Sequence, residues 1–250
     1  MDCTNGRNVK MGIAYNSKIV TDGLVLCLDA ANPKSYPGSG TTWYDLSGNK
    51  NNASMYGTVP FSTDVTSCFD FSTVGGTYSY SATMGFSLST GVNPATGNYT
   101  FEFWIKNPNA SGSQLGLFSN SGGGNGFRYG MYQTGWYALC GPTYTEGNVN
   151  YSSSFDNNKW HHIVMLFDRN GTLSAGNPRI YTYLDGTYQT NFMSLPTSQT
   201  TQYTGAPGIV RSACCTTWTG KLSTIRVYHS LLSSSSILTN YNAAKGRFGL

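Results

Sequence analysis

The sequence predicts an all-β sandwich of two antiparallel sheets with one short helix near its C-terminal end. Three observations carry this. Short apolar or alternating runs recur between turn signals. Helical periodicity is missing until residue 233. The 250 residues show no internal repeat and no second composition class, which fits one large sandwich.

Residues 1–18 are polar and without a period, so they read as an N-terminal arm that is disordered or ordered by a partner; residues 19–250 read as one domain. Leu24–Asp29 is a short apolar run between Asp22-Gly23 and Asn32-Pro33, a buried strand between turns. Residues 33–58, rich in Gly, Pro, Ser and Asn, read as a long ordered loop anchored by Tyr36, Trp43, Tyr44 and Tyr56. Tyr99–Lys106 alternates and is β-branched or aromatic throughout. Leu115–Ser119 is a further strand, and Phe127–Leu139 reads as a hairpin turning near Thr134-Gly135. Trp160–Asp168 and Arg179–Leu184 flank a loop, and Asp185-Gly186 is a hairpin turn signal. Ile209-Val210 and Leu222–Tyr228 complete the strands. The helix begins behind the Ser-rich cap Ser233–Ser236, shows Ile237, Leu238 and Tyr241 on one stripe, and ends near Ala244, with Lys245-Gly246 as its basic end and C-terminal glycine.

Composition narrows the function classes. Charged residues are 10% of the chain, against roughly 25% in an average globular protein. With 29 Ser, 29 Thr and 22 Asn, the surface is made mostly of hydroxyls and amides. The net charge of +4 is spread thinly, its densest stretch being Lys245-Gly246-Arg247, so a nucleic-acid partner is not expected. No segment approaches the roughly 18 apolar residues that span a bilayer, and membrane insertion is not expected. Met1–Arg7 lacks the apolar core of a secretory signal, so export by that route is not expected. Six cysteines with no CxxC suggest free thiols, Cys27 and Cys140 buried in strands; Cys214-Cys215 leaves a vicinal disulfide open.

Several stretches resemble a known family over most of the chain. Val20–Tyr36 resembles its opening, and Thr41-Thr-Trp-Tyr-Asp-Leu-Ser-Gly-Asn49 its W-x-D-x-S-G-N-x-N element. Trp160-His161-His162-Ile163-Val164 resembles its "WHHva" strand, Tyr183-Leu184-Asp185-Gly186 stands for its "lYvDG", and Trp218–Tyr228 with Leu231–Phe248 resembles its last strand and helix. The family is the concanavalin A-like lectin/glucanase superfamily, in its laminin-G-like branch. The resemblance implies a jelly-roll sandwich whose terminal strands adjoin. The variant here is similar to modules of bacteriophage and environmental viral structural proteins. It therefore implies a virion protein, a capsid decoration or fibre component assembled in the host cytoplasm, with other virion proteins or its own copies as partners, as a homo-oligomer. A free-standing lectin is the alternative. One departure is Ser236, where the family's helix carries Glu, so the reciprocal capping contact is lost.

Candidate sites follow from residue chemistry. Related glucanases carry an E-x-D-x-E strand, whose period-2 spacing aims carboxylates into one cleft. This chain has only Glu102 and Glu146, neither with a carboxylate two residues away, so no catalytic residue and no enzyme activity are expected. His161 and His162, adjacent on a strand, face opposite sides and cannot share a metal, so structural packing is their expected role. No cofactor is expected, except that relatives bind calcium through loop Asp and Asn. Asp29, Asp45, Asp64, Asp70 and Asp156 lie near loops or strand ends without D-x-D-x-D spacing, and Asp29 and Asp45 are expected to cap turns. Sugar binding needs an aromatic platform for the pyranose C–H face and amides or hydroxyls for its OH groups. Tyr132, Trp136, Tyr144, Tyr203 and Trp218 lie in or beside loops rich in Asn, Ser and Gly and are the candidate glycan-binding residues, with Tyr151 in the same setting; Trp104 and Trp160 are expected in the core.

Overall fold

A computed structural model describes residues 18–63, 66–72, 84–93, 97–106, 115–119, 127–132, 135–140, 145–150, 158–195, 207–210, 216–217 and 219–250. Of residues 115–116, 118–119, 127–132, 135–140, 145–150, 191, 193 and 216–217 it describes the backbone alone. The expected arm, apart from its last residue, lies outside the described residues.

The strands, in chain order, are β1 Leu24–Asp29, β2 Thr42–Trp43, β3 Ala53–Tyr56, β4 Phe61–Ser62, β5 Cys68–Asp70, β6 Gly85–Ser87, β7 Tyr99–Lys106, β8 Leu115–Ser119 and β9 Phe127–Tyr132. They continue with β10 Gly135–Cys140, β11 Thr145–Asn150, β12 Trp160–Asp168, β13 Arg179–Leu184, β14 Thr187–Ser194, β15 Gly208–Ile209, β16 Thr216–Thr217 and β17 Lys221–Tyr228, followed by helix α1, Ser234–Ala244. Eight strands form one sheet in the order β14-β13-β12-β7-β17-β5-β4, with β1 also paired to β17. Nine form the other, in the order β11-β10-β9-β8-β15-β6-β3-β2, with β16 beside β8. The first and last strands adjoin as expected, Cys27 opposite Arg226 and Leu28 opposite Ile225.

Alternation decides what each sheet buries. Phe101, Phe103 and Ile105 of β7, Ile163, Met165 and Phe167 of β12, and Ile225 and Val227 of β17 meet Trp43, Ala53, Phe86, Leu117 and Ile209 of the facing sheet in one apolar layer. Aromatic edges close it: the Phe69 ring lies 4.7 Å from both Trp43 and Phe86, in tilted and T-shaped contact.

The eight-stranded sheet is buried on its outer face as well. Val164, Leu166, Tyr181, Tyr183 and Tyr228 pack there against Leu232 and Ile237. Trp104 and Trp160 pack against Phe248. These tryptophans are core residues, as expected, but they lie beneath the C-terminal segment rather than between the sheets. Covering on both faces explains why all nine residues of β12 are buried and its sequence runs without alternation.

Two expectations are corrected. The segment 33–58 is not loop throughout: β2 and β3 run through it and pair with each other, and β3 pairs with β6. Its Trp43 is fully buried while Tyr44 is exposed. The glycine that closes the C-terminal segment is Gly249, with φ of 77°, not Gly246. The chain passes from α1 into a 3-10 turn over Lys245–Phe248 because Phe248 stacks on Trp104, ring centroids 4.0 Å apart. The N-terminal cap is as expected: Ser233 Oγ accepts from the Ser236 N–H at 3.1 Å. The Ser236 hydroxyl, in place of the family's Glu, only reaches Ser233 Oγ.

Candidate functional site

The helix-covered face carries a buried polar cluster around Glu102. Antiparallel register sets Glu102 opposite Arg226 on one side and Val164 on the other. Its side chain is fully buried, and Oε1 is ion-paired with Arg226 Nη1. Asn240 of α1 donates from Nδ2 to Glu102 Oε2 at 2.7 Å and to the Tyr228 hydroxyl at 3.0 Å, while its Oδ1 accepts from the Val20 N–H at 2.8 Å. His162 Nε2 lies 3.1 Å from Glu102 Oε1, with its ring packed near Trp104 and Tyr241. Burial pushes the carboxyl up, but Arg226, His162 and the Asn240 hydrogen bond outweigh it and bring it to about 2. Burial likewise raises the Cys27 thiol, only partly offset by Arg226 beside it; Cys27 and Cys68 are both buried. A carboxylate ionised in this way, with both oxygens engaged and no water contact, is poorly placed as a proton donor. Glu102 fastens helix to sheet.

The two histidines separate as expected, each meeting a carboxylate that the sequence spacing does not show. His161 Nδ1 lies 2.7 Å from Asp185 Oδ2, whose Oδ1 accepts from the His162 N–H at 2.9 Å. Asp185 and Gly186, with φ of 50° and 78°, form the predicted turn between β13 and β14.

The three described candidate aspartates are engaged by groups of the protein itself. Asp45 accepts from the amides of Cys27, Ser47 and Asn51 and from the Ser47 hydroxyl. Asp29 accepts from the Ala31 N–H and takes both of its oxygens to Arg247 Nη1 at 2.9 Å. Asp70 takes the Ser72 N–H and Lys221. No cluster of three or more His, Cys, Asp or Glu suited to a metal occurs among the described residues. Asp29 and Asp45 organise turns, as expected; Asp64 and Asp156 lie outside the described residues.

A different surface gathers aromatic side chains in the open. On the β13–β14 hairpin, alternation puts Arg179, Tyr181 and Tyr183 on the outer face and Ile180 and Leu184 on the core face. Across the hairpin Tyr188 pairs with Tyr183, and a register shift brings Phe192 opposite Tyr181. The Tyr183 and Tyr188 rings are 5.4 Å apart, the Tyr181 ring lies 6.3 Å from Tyr188 and 6.4 Å from Phe192, and the Arg179 guanidinium sits 4.0 Å above the Phe192 ring. Tyr188 and Phe192 are 41% and 42% exposed, so each presents an open ring. The Tyr183 hydroxyl is bonded to Ser234 Oγ at 2.8 Å, which ties the hairpin to the start of α1.

Of the five sequence candidates, Tyr144, Tyr203 and Trp218 lie outside the described residues, as do the side chains of Tyr132 and Trp136; so do Tyr151, Cys3, Cys214, Cys215 and the side chain of Cys140. The backbone pairs Tyr132 with Gly135 and Trp136 with Met131 and Val149. The sequence reading passed over Tyr188 and Phe192. The signal for Tyr188 is its place after Asp185-Gly186, mirroring Tyr183 before it across the hairpin, whereas Phe192 joins that face only through the register shift.

Two sheets, a roofed outer face and adjoining terminal strands define a lectin-like jelly-roll sandwich. The profile of the concanavalin A-like lectin/glucanases superfamily, in its Laminin_G_3 form, matches residues 76–238, and the chain belongs to that superfamily. Among solved structures it is similar to the binding domain of botulinum neurotoxin DC in complex with SialylT, with TM-score 0.67 and 12% identity over 89% of this chain and 52% of that one. It is also similar to the same toxin's binding domain in complex with rat synaptotagmin II, with TM-score 0.66 and 14% identity over 90% of this chain and 52% of that one. The binding domain of Paraclostridial Mosquitocidal Protein 1 shows TM-score 0.67 and 13% identity over 89% of this chain and 52% of that one. These likenesses are of fold, and the chain spans about half of each of those structures. No curated protein sequence matches it significantly.

Proposed function

We propose that this protein is a non-catalytic, lectin-like module that recognises glycans and is carried on a virion. The observation that carries the glycan reading is the open aromatic face of β13–β14, where exposed rings stand beside tyrosine hydroxyls. Pyranose rings need that pairing of apolar platform and polar rim. The non-catalytic reading is supported by Glu102, whose carboxylate is committed to Arg226 and Asn240. The virion placement is supported by the similarity of the opening and closing motifs to viral structural modules.

A glycan array with the full chain tests recognition. Reproducible hits that vanish in Tyr188→Ala or Phe192→Ala support the hairpin face; hits lost instead in Trp136→Ala or Trp218→Ala support the candidates read from sequence. Silence across the array, with multimers in solution, would favour a scaffold for subunit contacts instead. Mass spectrometry of purified particles tests the placement, which fails if the protein is missing from them.

A further inference from the structure

We propose that the outer face of the β13–β14 hairpin binds an acidic saccharide, its pyranose on Tyr188 and Phe192 and its carboxylate or sulfate on Arg179. This rests on the glycan-recognition reading and adds to it a place and a charge class.

Arg179 is the reason for the charge. It is half-buried over the Phe192 ring, and its Nε is buried without a hydrogen-bond acceptor among the described residues. Asp168, its cross-strand neighbour, makes no ion pair with it; Oδ1 and Oδ2 accept from the Thr172 and Leu173 amides, each at 2.7 Å. No ion pair forms at Arg179 among the described residues, whereas Arg226, Arg247 and Lys221 each have a carboxylate. A guanidinium held over an aromatic ring is restrained, and its fork can make two parallel bonds to a carboxylate or sulfate.

A hydroxyl fits the same occupant. That of Tyr188 stands on a ring 41% exposed, where it can meet sugar OH groups, while Tyr181 is buried and backs the platform. Burial and the nearness of Tyr181 and Tyr183 raise the Tyr188 hydroxyl while Arg179 lowers it, so the cation and the three phenols act on one another at close quarters. Among the described residues Arg179 is the one charged group that acts on Tyr188, and it is a cation.

Oligogalacturonate and the matching neutral galacto-oligosaccharide differ only in the carboxylate, and a sulfated galacto-oligosaccharide separates the two anion sources. Titrated at about 150 mM salt, where long-range attraction is screened, the full chain should bind at least one acidic probe about tenfold or more tighter than the neutral one. Arg179→Gln should erase that preference, bringing the acidic probes to the affinity of the neutral one. Tyr188→Ala should weaken all probes, and Lys34→Gln, which removes one exposed positive charge elsewhere, should change nothing. Unaltered melting of Tyr188→Ala and Arg179→Gln checks that the sandwich is intact. Equal affinity for acidic and neutral probes, or equal losses in Arg179→Gln and Lys34→Gln, overturns the acidic-site proposal and leaves glycan recognition standing. Silence from every probe and from the array overturns both.

Discussion

Glu102 shows what one buried charge demands of its neighbours. It is ionised only because Arg226 stands opposite it and Asn240 reaches down from α1, and Arg226 in turn has no water to fall back on. Removing the acid leaves a guanidinium stranded, so Glu102→Ala should destabilise the chain by about 3–5 kcal/mol, measured by denaturant unfolding. The same residue sets an acid limit. Its carboxyl titrates near 2 when folded and near 4.5 when unfolded. Its stabilisation is therefore complete above the unfolded value and is lost as pH falls from there through the folded one, because the unfolded chain takes up the proton first. Unfolding curves between pH 6 and 2 should show stability level at first and then falling, and the Glu102→Gln variant should lack that part of the slope. None of this was legible in the sequence, because Glu102 and Arg226 lie 124 positions apart and neither carries a local motif.

At the scale of elements, strands whose two faces differ announced themselves, and so did the helix. Tyr99–Lys106 and Arg179–Leu184 were readable from alternation, and Ser233 from its place before the helical stripe. The strands hidden in 33–58 were not, because β2 and β3 are short and sit among Gly, Asn and Ser that otherwise signal turns. The open face of β13–β14 was half legible: the tyrosines alternate in sequence, but only the register shift puts Phe192 beside Tyr181. Removing the cap hydroxyl, Ser233→Ala, should cost about 1 kcal/mol. Removing the ring that folds the last turn onto Trp104, Phe248→Ala, should cost about 3–5 kcal/mol. Thermal or chemical unfolding of the two variants distinguishes them: a Phe248 effect no larger than that of Ser233 would mean the terminal turn is an ornament rather than part of the second apolar layer.

For the whole molecule, the central fact is where the last strand goes. β17 does not add to an edge; it lies between β7 on one side and β5 and β1 on the other. Until it is present, one sheet exists as three unconnected pieces, β14-β13-β12-β7, β5-β4 and β1, and α1 lacks the Tyr228 hydroxyl to which Asn240 donates. The chain therefore cannot close as it leaves the ribosome, however early its first strand emerges. Pairings this distant in sequence also make refolding slow, in the millisecond-to-second range typical of β-sandwiches. A chain stopped after residue 220 should stay open to proteolysis along its whole length, while the same residues given a separate 221–250 peptide should regain protection. Closure of this sandwich thus waits on a single committing event, and a nascent chain waiting for it exposes unpaired strand edges to chaperones and to its own copies.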